Sequence, residues 1–258
     1  MSRSQPNDKP INPSSRFFEW NGQKGVFKFY EKEKKENFEV PFPFIFLVLD
    51  ELSTIKGWSD SDQSGLWSNE VKNIKNETLA VRSKKGLQIE GTYENIKGKV
   101  SGADYCKSVY IAYKNDAKEL VIGNIAMQGA CLNAWIEFSK GKKVQEGAVR
   151  VEDTTEGKKG SITYKMPNFV QFTPKPETEE AATGLDVKLQ EYLKAYFNHK
   201  VAETEVIPTA DEVEATFTKG AALEPSNEFM NPEGKGVEKL PEDSPVVNSQ
   251  NSRFPDDF

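Results

Sequence analysis

Few residues in this chain could do covalent or metal chemistry. Its soft ligands are two cysteines, Cys106 and Cys131, and one histidine, His199. They have no C-x-x-C spacing and are too few for a protein-only zinc site, so neither a metal nor any other cofactor is expected. Reduced cysteines in such a chain read as small buried hydrophobes. Asp50, Glu51, Asp60 and Asp62 form the one acidic cluster, with no Gly-rich phosphate loop, nucleophile motif or histidine pairing beside it, so an enzyme is not expected. The spacing of Asp60, Asp62 and Ser64 imitates a calcium loop, but the twelfth position, which needs a glutamate, holds Val71. What the chain offers instead is aromatic rings near cations. Lys28 and Tyr30 share one face of an alternating stretch whose other face carries Phe27 and Phe29. A ring and an ammonium side by side can meet a base and a phosphate, or can simply form a solvated face. Trp58 and Trp67 sit in a segment, Ile55 to Trp67, that reads as a loop by its Gly, Ser and Asp content. They are either anchors packed on the body or groups on which a ligand stacks.

These side chains need a frame, and Val40 to Leu52 supplies its centre. Phe42 to Leu49 runs without a charge, which requires cover on both faces. Its aromatic and β-branched residues favour a strand, with Pro41 and Pro43 confined to the start. Ahead of it, Arg16 to Trp20, the Asn21-Gly22 turn and Gly25 to Tyr30 read as a hairpin, and the Glu31 to Glu36 run as a second turn. Short strands are expected at 68–73, 78–84 and 87–93, a short helix at 93–100, and strands at 107–114 and 120–126. Leu79 and Val81 face in and Arg82 and Lys84 out; Val109, Ile111 and Tyr113 oppose Tyr110 and Lys114. Cys131 to Phe138 fits either a helix or a strand. Two further β pieces, 148–152 and 161–172, flank a flexible 153–160. After Pro174 to Pro176 an apolar stripe of Leu185, Leu189, Tyr192, Leu193 and Tyr196 marks an amphipathic helix, with Thr183 and Asp186 in capping-box-like positions and His199 at its end. It packs on the body or on a partner.

Charge divides the chain. Residues 200–258 hold five Lys/Arg against thirteen Asp/Glu, a net of −8, so residues 1–199, with 29 against 27, stand at +2. The acidic total thus describes the tail and does not exclude a polyanionic ligand for the body. Segment 68–118 carries ten basic and six acidic residues, and 140–175 eight and four. The organisation expected is a disordered arm (1–13), a folded body (14–175), the amphipathic helix (176–199) and a disordered acidic tail (200–258). No stretch reaches the roughly 18 apolar residues of a membrane span and no signal core opens the chain, so a cytoplasmic location without membrane partners is expected.

The sequence ends Arg253-Phe254-Pro255-Asp256-Asp257-Phe258, where aromatic rings beside carboxylates could enter a cation-rimmed pocket on a partner. An acidic tail with Asp residues before a final Phe resembles that of bacterial and phage-encoded single-stranded DNA-binding proteins. The stretches Glu39–Phe44, Asp62–Val71 and Lys107–Tyr113 also resemble such proteins of large gut-bacterial phages. The chain departs from the bacterial pattern in lacking Ile-Pro before the final Phe. The resemblance implies a mainly β protein, an OB-fold-like antiparallel barrel with one or two helices. It would coat single-stranded DNA without reading sequence and recruit replication or recombination proteins through Phe254, Asp256, Asp257 and Phe258. On that reading Trp20, Tyr30, Trp58, Trp67 and Tyr110 stack on bases, and Lys28, Arg82, Lys84, Lys85 and Lys114 neutralise phosphates. Homo-oligomerisation stays open. The competing reading is a non-catalytic phage structural or virion-associated interaction protein with a β-rich domain.

Overall fold

The structure, a computed structural model, describes residues 10–199; residues 1–9 of the arm and the whole of 200–258, with Phe254, Asp256, Asp257 and Phe258, lie outside the described residues. The fold is mainly β. Strands β1 (Arg16–Asn21), β2 (Val26–Glu31) and β3 (Glu36–Glu39) form an antiparallel meander. Alternation puts Phe18, Phe27 and Phe29 on its buried side. The Glu31–Glu36 charge run is therefore a turn into a separate strand, β3, which holds Phe38.

The central strand β4 (Phe44–Ser59) starts directly after Pro43, the last residue that cannot donate to a ladder. It runs well past Leu52, through most of what reads as a loop. β5 (Ser64–Trp67), β6 (Leu79–Ser83) and β7 (Gly86–Gly91) make an antiparallel excursion from its end. The strand expected at 68–73 is reduced to one bridge between Ser53 and Val71. A single-turn helix α1 (Tyr93–Ile96) leads into β8 (Ala103–Lys114), which pairs along β4, and β9 (Leu120–Met127) pairs back on β8. Where β4 passes the start of β8 the backbones nearly touch. A Cβ on Gly57 would lie 1.7 Å from the Gly102 carbonyl oxygen, and one on Gly102 (φ +78°) 1.9 Å from that of Trp58, so only glycine fits at either position.

Helix α2 (Gly129–Ser139) settles the ambiguous segment: Cys131, Leu132, Trp135 and Phe138 are all buried, a spacing only a helix puts on one side. β10 (Ala148–Lys159) and β11 (Ile162–Phe172) form a continuous hairpin through the polar residues expected to be flexible. α3 (Pro176–His199) follows. It begins at Pro176, a favoured first helical residue. Thr183 is therefore internal, its hydroxyl donating to the Glu179 carbonyl, and does not cap.

The strand order is β3-β2-β1-β9-β8-β4-β5-β6-β7, with β10 on β4 beside Phe44–Leu47 and β11 on β10. The run β9-β8-β4-β10 has Greek-key order, the fourth strand returning beside the first. β1 pairs with β9 in parallel, so the sheet is mixed, and it is not closed, where an antiparallel barrel is expected. The N-terminal meander supplies the parallel strand by adding to the outer edge of β9. The β1–β2 turn meets β11: the Lys165 N–H donates to the Gly22 carbonyl at 2.7 Å, and the Trp20 indole N–H to the Lys165 carbonyl at 2.9 Å.

Inside the curve Phe18, Phe27, Phe46, Ile111, Ile125 and Trp135 form the main core. On the outer face Leu185, Leu189 and Leu193 of α3 pack on Leu52, Tyr110 and Ile122. The apolar stripe of this helix thus serves its own body. Among the described residues no helix is long and apolar enough to cross a membrane.

Candidate nucleic-acid interface

Cross-strand register assigns faces, because residues directly opposite point the same way. Trp67 lies opposite Lys56 on one side and Arg82 on the other. Trp58, two residues beyond Lys56, shares their face. One side of β4-β5-β6 thus carries Lys56, Trp58, Trp67 and Arg82, all half-buried. Neither tryptophan joins the four apolar clusters among the described residues, and the Trp58 indole nitrogen is buried with no hydrogen-bond partner. The same outer face continues through β8, β9 and β1 to β2, where Lys28 and Tyr30 lie half-buried.

Three stacking or phosphate residues expected from the sequence have other duties. Trp20 points inward, its ring edge-on to Phe27 with centroids 4.9 Å apart. Lys84 and Lys85 clamp the turn after β4: Lys84 Nζ donates to the Gln63 carbonyl at 3.1 Å and Lys85 Nζ to Asp62 Oδ1 at 2.8 Å. With Ser83, Lys85 holds the Asp62 carboxyl below its ordinary range. Tyr110 has the outward orientation expected, yet is fully buried beneath α3, so its ring has no face for a base. Lys114 ends β8 and lines an open cleft away from Trp67.

Between the tryptophans and Lys28 lies a group of charges that the sequence does not announce. Glu70 follows Trp67 by three residues. Its carboxylate accepts from the Ser108 hydroxyl and, at 2.8 Å, from the Tyr110 hydroxyl. Asn124 donates to Ser108 at 2.7 Å and Asn12 to Tyr110 at 3.3 Å. The Glu70 backbone N–H donates to the Tyr196 hydroxyl at 2.9 Å, and Lys72 Nζ stands 5.1 Å over the Phe197 ring. The arm, β8, the segment after Trp67 and the last turns of α3 are therefore joined by hydrogen bonds around one residue, Glu70. Burial pushes the Glu70 pKa up, against these hydrogen bonds and the charge of Lys56. Glu19 is also raised by burial and opposed by Lys56 and Lys28, the latter 3.7 Å away. Burial likewise lifts the Cys106 thiol to about 12, which keeps it protonated and unreactive.

Lys56 is the residue that sequence reasoning missed. Its signal was available: in β-alternation it pairs with Trp58, and only the loop-like text around it hid that. Glu70 had no comparable signal. Among the described residues no group of three or more His, Cys, Asp or Glu could hold a metal ion. The arrangement offers two indole rings flanked by a lysine and an arginine on one sheet face, which suits stacking and phosphate neutralisation. Comparison with protein-family models, with curated proteins and with solved structures finds no match to the chain.

Proposed function

We propose that this protein binds single-stranded DNA without reading its sequence, along the outer face that carries Lys56, Trp58, Trp67 and Arg82. The observation that carries the reading is their shared face, fixed by the Lys56–Trp67–Arg82 register. Topology supports it. Strands β4, β8 and β9, then α2, then the β10–β11 hairpin with β10 back on β4, have Greek-key order in a sheet that is not closed, and we read that order as OB-like. OB-like barrels hold oligonucleotides on the second and third strands and on the loops after the first strand and between the last two; here Tyr110 of β8 and Ile122 of β9 lie under α3, so the reading rests on the loops. On that reading the β5–β7 excursion, with Trp67 and Arg82, stands for the first of those loops. The β10–β11 tip, with exposed Lys158 and Lys159, corresponds to the second. The acidic tail is then available to recruit replication or recombination proteins.

The test is tryptophan fluorescence titration of the full chain with oligo-dT at two salt concentrations, with duplex as control. Quenching by the single strand and affinity falling with salt are expected. Trp58→Ala and Trp67→Ala should each lose about 1–3 kcal/mol, or about 5- to 150-fold in Kd. No binding at low salt would refute the proposal and favour an interaction protein.

A further inference from the structure

The outer face carries a second pair of rings, on the N-terminal meander. Phe17 of β1 lies opposite Asn124 of β9, and Asn124 opposite Tyr110 of β8. Phe17 therefore points outward with Tyr110, while its neighbour Phe18 fills the core. The β1–β2 register pairs Phe18 with Phe29, and one step along it Tyr30 comes opposite Phe17. Side chains so placed have Cβ atoms about 4.5–5.5 Å apart, so the two rings are neighbours. Both strands stand outside the Greek-key run β9-β8-β4-β10.

Tyr110, in the same row, is closed over by α3, but Phe17 is 39% exposed and Tyr30 half-buried. Neither belongs to an apolar cluster, and among the described residues neither ring stacks on another or carries a cation. The frame around them is polar: Asn37 opposite Tyr30, Asn124 opposite Phe17, and Glu19 and Lys28 two residues along the two strands. An apolar spot of two rings in such a frame falls far short of the roughly 800 Å² per partner that a stable protein contact buries. It has the size of one flat ring laid across it, which a nucleobase supplies. Glu19 ties this spot to the first. It stands 3.7 Å from Lys28, and its carboxyl also feels the charge of Lys56, the residue directly opposite Trp67.

We infer that Phe17 and Tyr30 form a second stacking platform, which takes a base of the same single strand where it runs on from Trp67 past Lys56. The inference rests on the proposed DNA binding and adds to it a place on the sheet that shares none of the residues named there. The contact is one of stacking alone, with the phosphate cations supplied by the first site.

Oligo-dT of about 16 nucleotides, the upper end of what one such fold occupies, is titrated into the full chain, Phe17→Ala and Tyr30→Ala across a salt series. Loss of one stacked base is expected to raise Kd about 5- to 150-fold. The salt slope should stay as in the wild type, because no phosphate cation is removed. Phe17→Tyr keeps a ring face and should bind as the wild type does. If neither alanine variant loses more than about twofold in affinity, the inference is overturned. A loss that comes with a shallower salt slope, or that Phe17→Tyr fails to recover, overturns it as well. So does a Phe17→Ala protein that changes its sedimentation but not its DNA affinity, since the spot would then be a contact between copies of the chain. Trp67→Ala keeps the two readings apart. If it binds as the wild type does while Phe17→Ala is weakened, the site at Lys56, Trp58, Trp67 and Arg82 fails and the platform stands; the reverse result sinks the platform alone.

Discussion

Replacing Glu70 with glutamine should change how stability depends on pH. The carboxyl is buried and its pKa is raised by desolvation, which outweighs the Ser108 and Tyr110 hydrogen bonds and the field of Lys56; Asp50 adds to the rise. A carboxyl whose folded pKa lies above its unfolded value holds its proton longer in the native state. Its favourable contribution is complete below the unfolded value and is lost as pH rises towards the folded one. One proton is involved, so the loss cannot exceed about 1.4 kcal/mol per pH unit. Glutamine carries no proton to lose, yet its amide can still accept from one hydroxyl and donate to the other. Urea unfolding of both proteins from pH 4.5 to 8 checks this. Subtracting the curves removes the contribution of Glu19, which is raised in the same direction. The expected result is similar stability at the acid end and a growing advantage for Glu70→Gln as pH rises. Parallel curves, or a wild-type protein that gains on the variant with rising pH, would refute the reasoning.

Other substitutions probe neighbouring claims. Tyr110→Phe removes the hydroxyl that donates to Glu70 Oε2 and should cost about 1–3 kcal/mol in urea unfolding, with oligo-dT affinity unchanged because the ring is buried; a large affinity loss would mean the ring does reach DNA. Leu189→Ala removes a fully buried side chain from the contact of α3 with Leu52, Tyr110 and Ile122. It should cost about 2–5 kcal/mol, and a loss under 1 kcal/mol would show the helix to be peripheral. Deleting residues 200–258 takes a net of −8 from a body of +2. It should tighten oligo-dT binding at low salt and have little effect at high salt, an outcome that equal affinities at low salt would exclude.

Local patterning carried much of the fold. Alternation alone orients Phe27 and Phe29 inward, and the uncharged run from Phe42 locates the central strand. It fails where the physical cause is distant in sequence. Residues Lys56, Gly57 and Trp58 look like a loop because Gly57 is there for the Gly102 backbone crossing over it, forty-five residues later (102 − 57). The polar second half of β10 has no apolar face to advertise, because it is held by its ladder with β11, whose Lys165 is bonded to Gly22 and Trp20.

The candidate site shows the same division more sharply. Period-two reasoning gives Tyr110 and Lys28 an outward direction, and the structure agrees for both. Outward from a sheet is not the same as exposed, and the difference is made by α3. Its Leu189 and Leu193 close over Tyr110, while Trp58 and Trp67 lie on a part of the face outside that contact. Two aromatic residues with equal standing in the sequence are thereby given opposite roles, one as a buried hydroxyl serving Glu70 and one as a ring beside a cation. A helix that buries one half of a sheet face selects which of its aromatics can meet a ligand. The same helix also reaches the segment three residues beyond Trp67, where the Glu70 N–H donates to the Tyr196 hydroxyl.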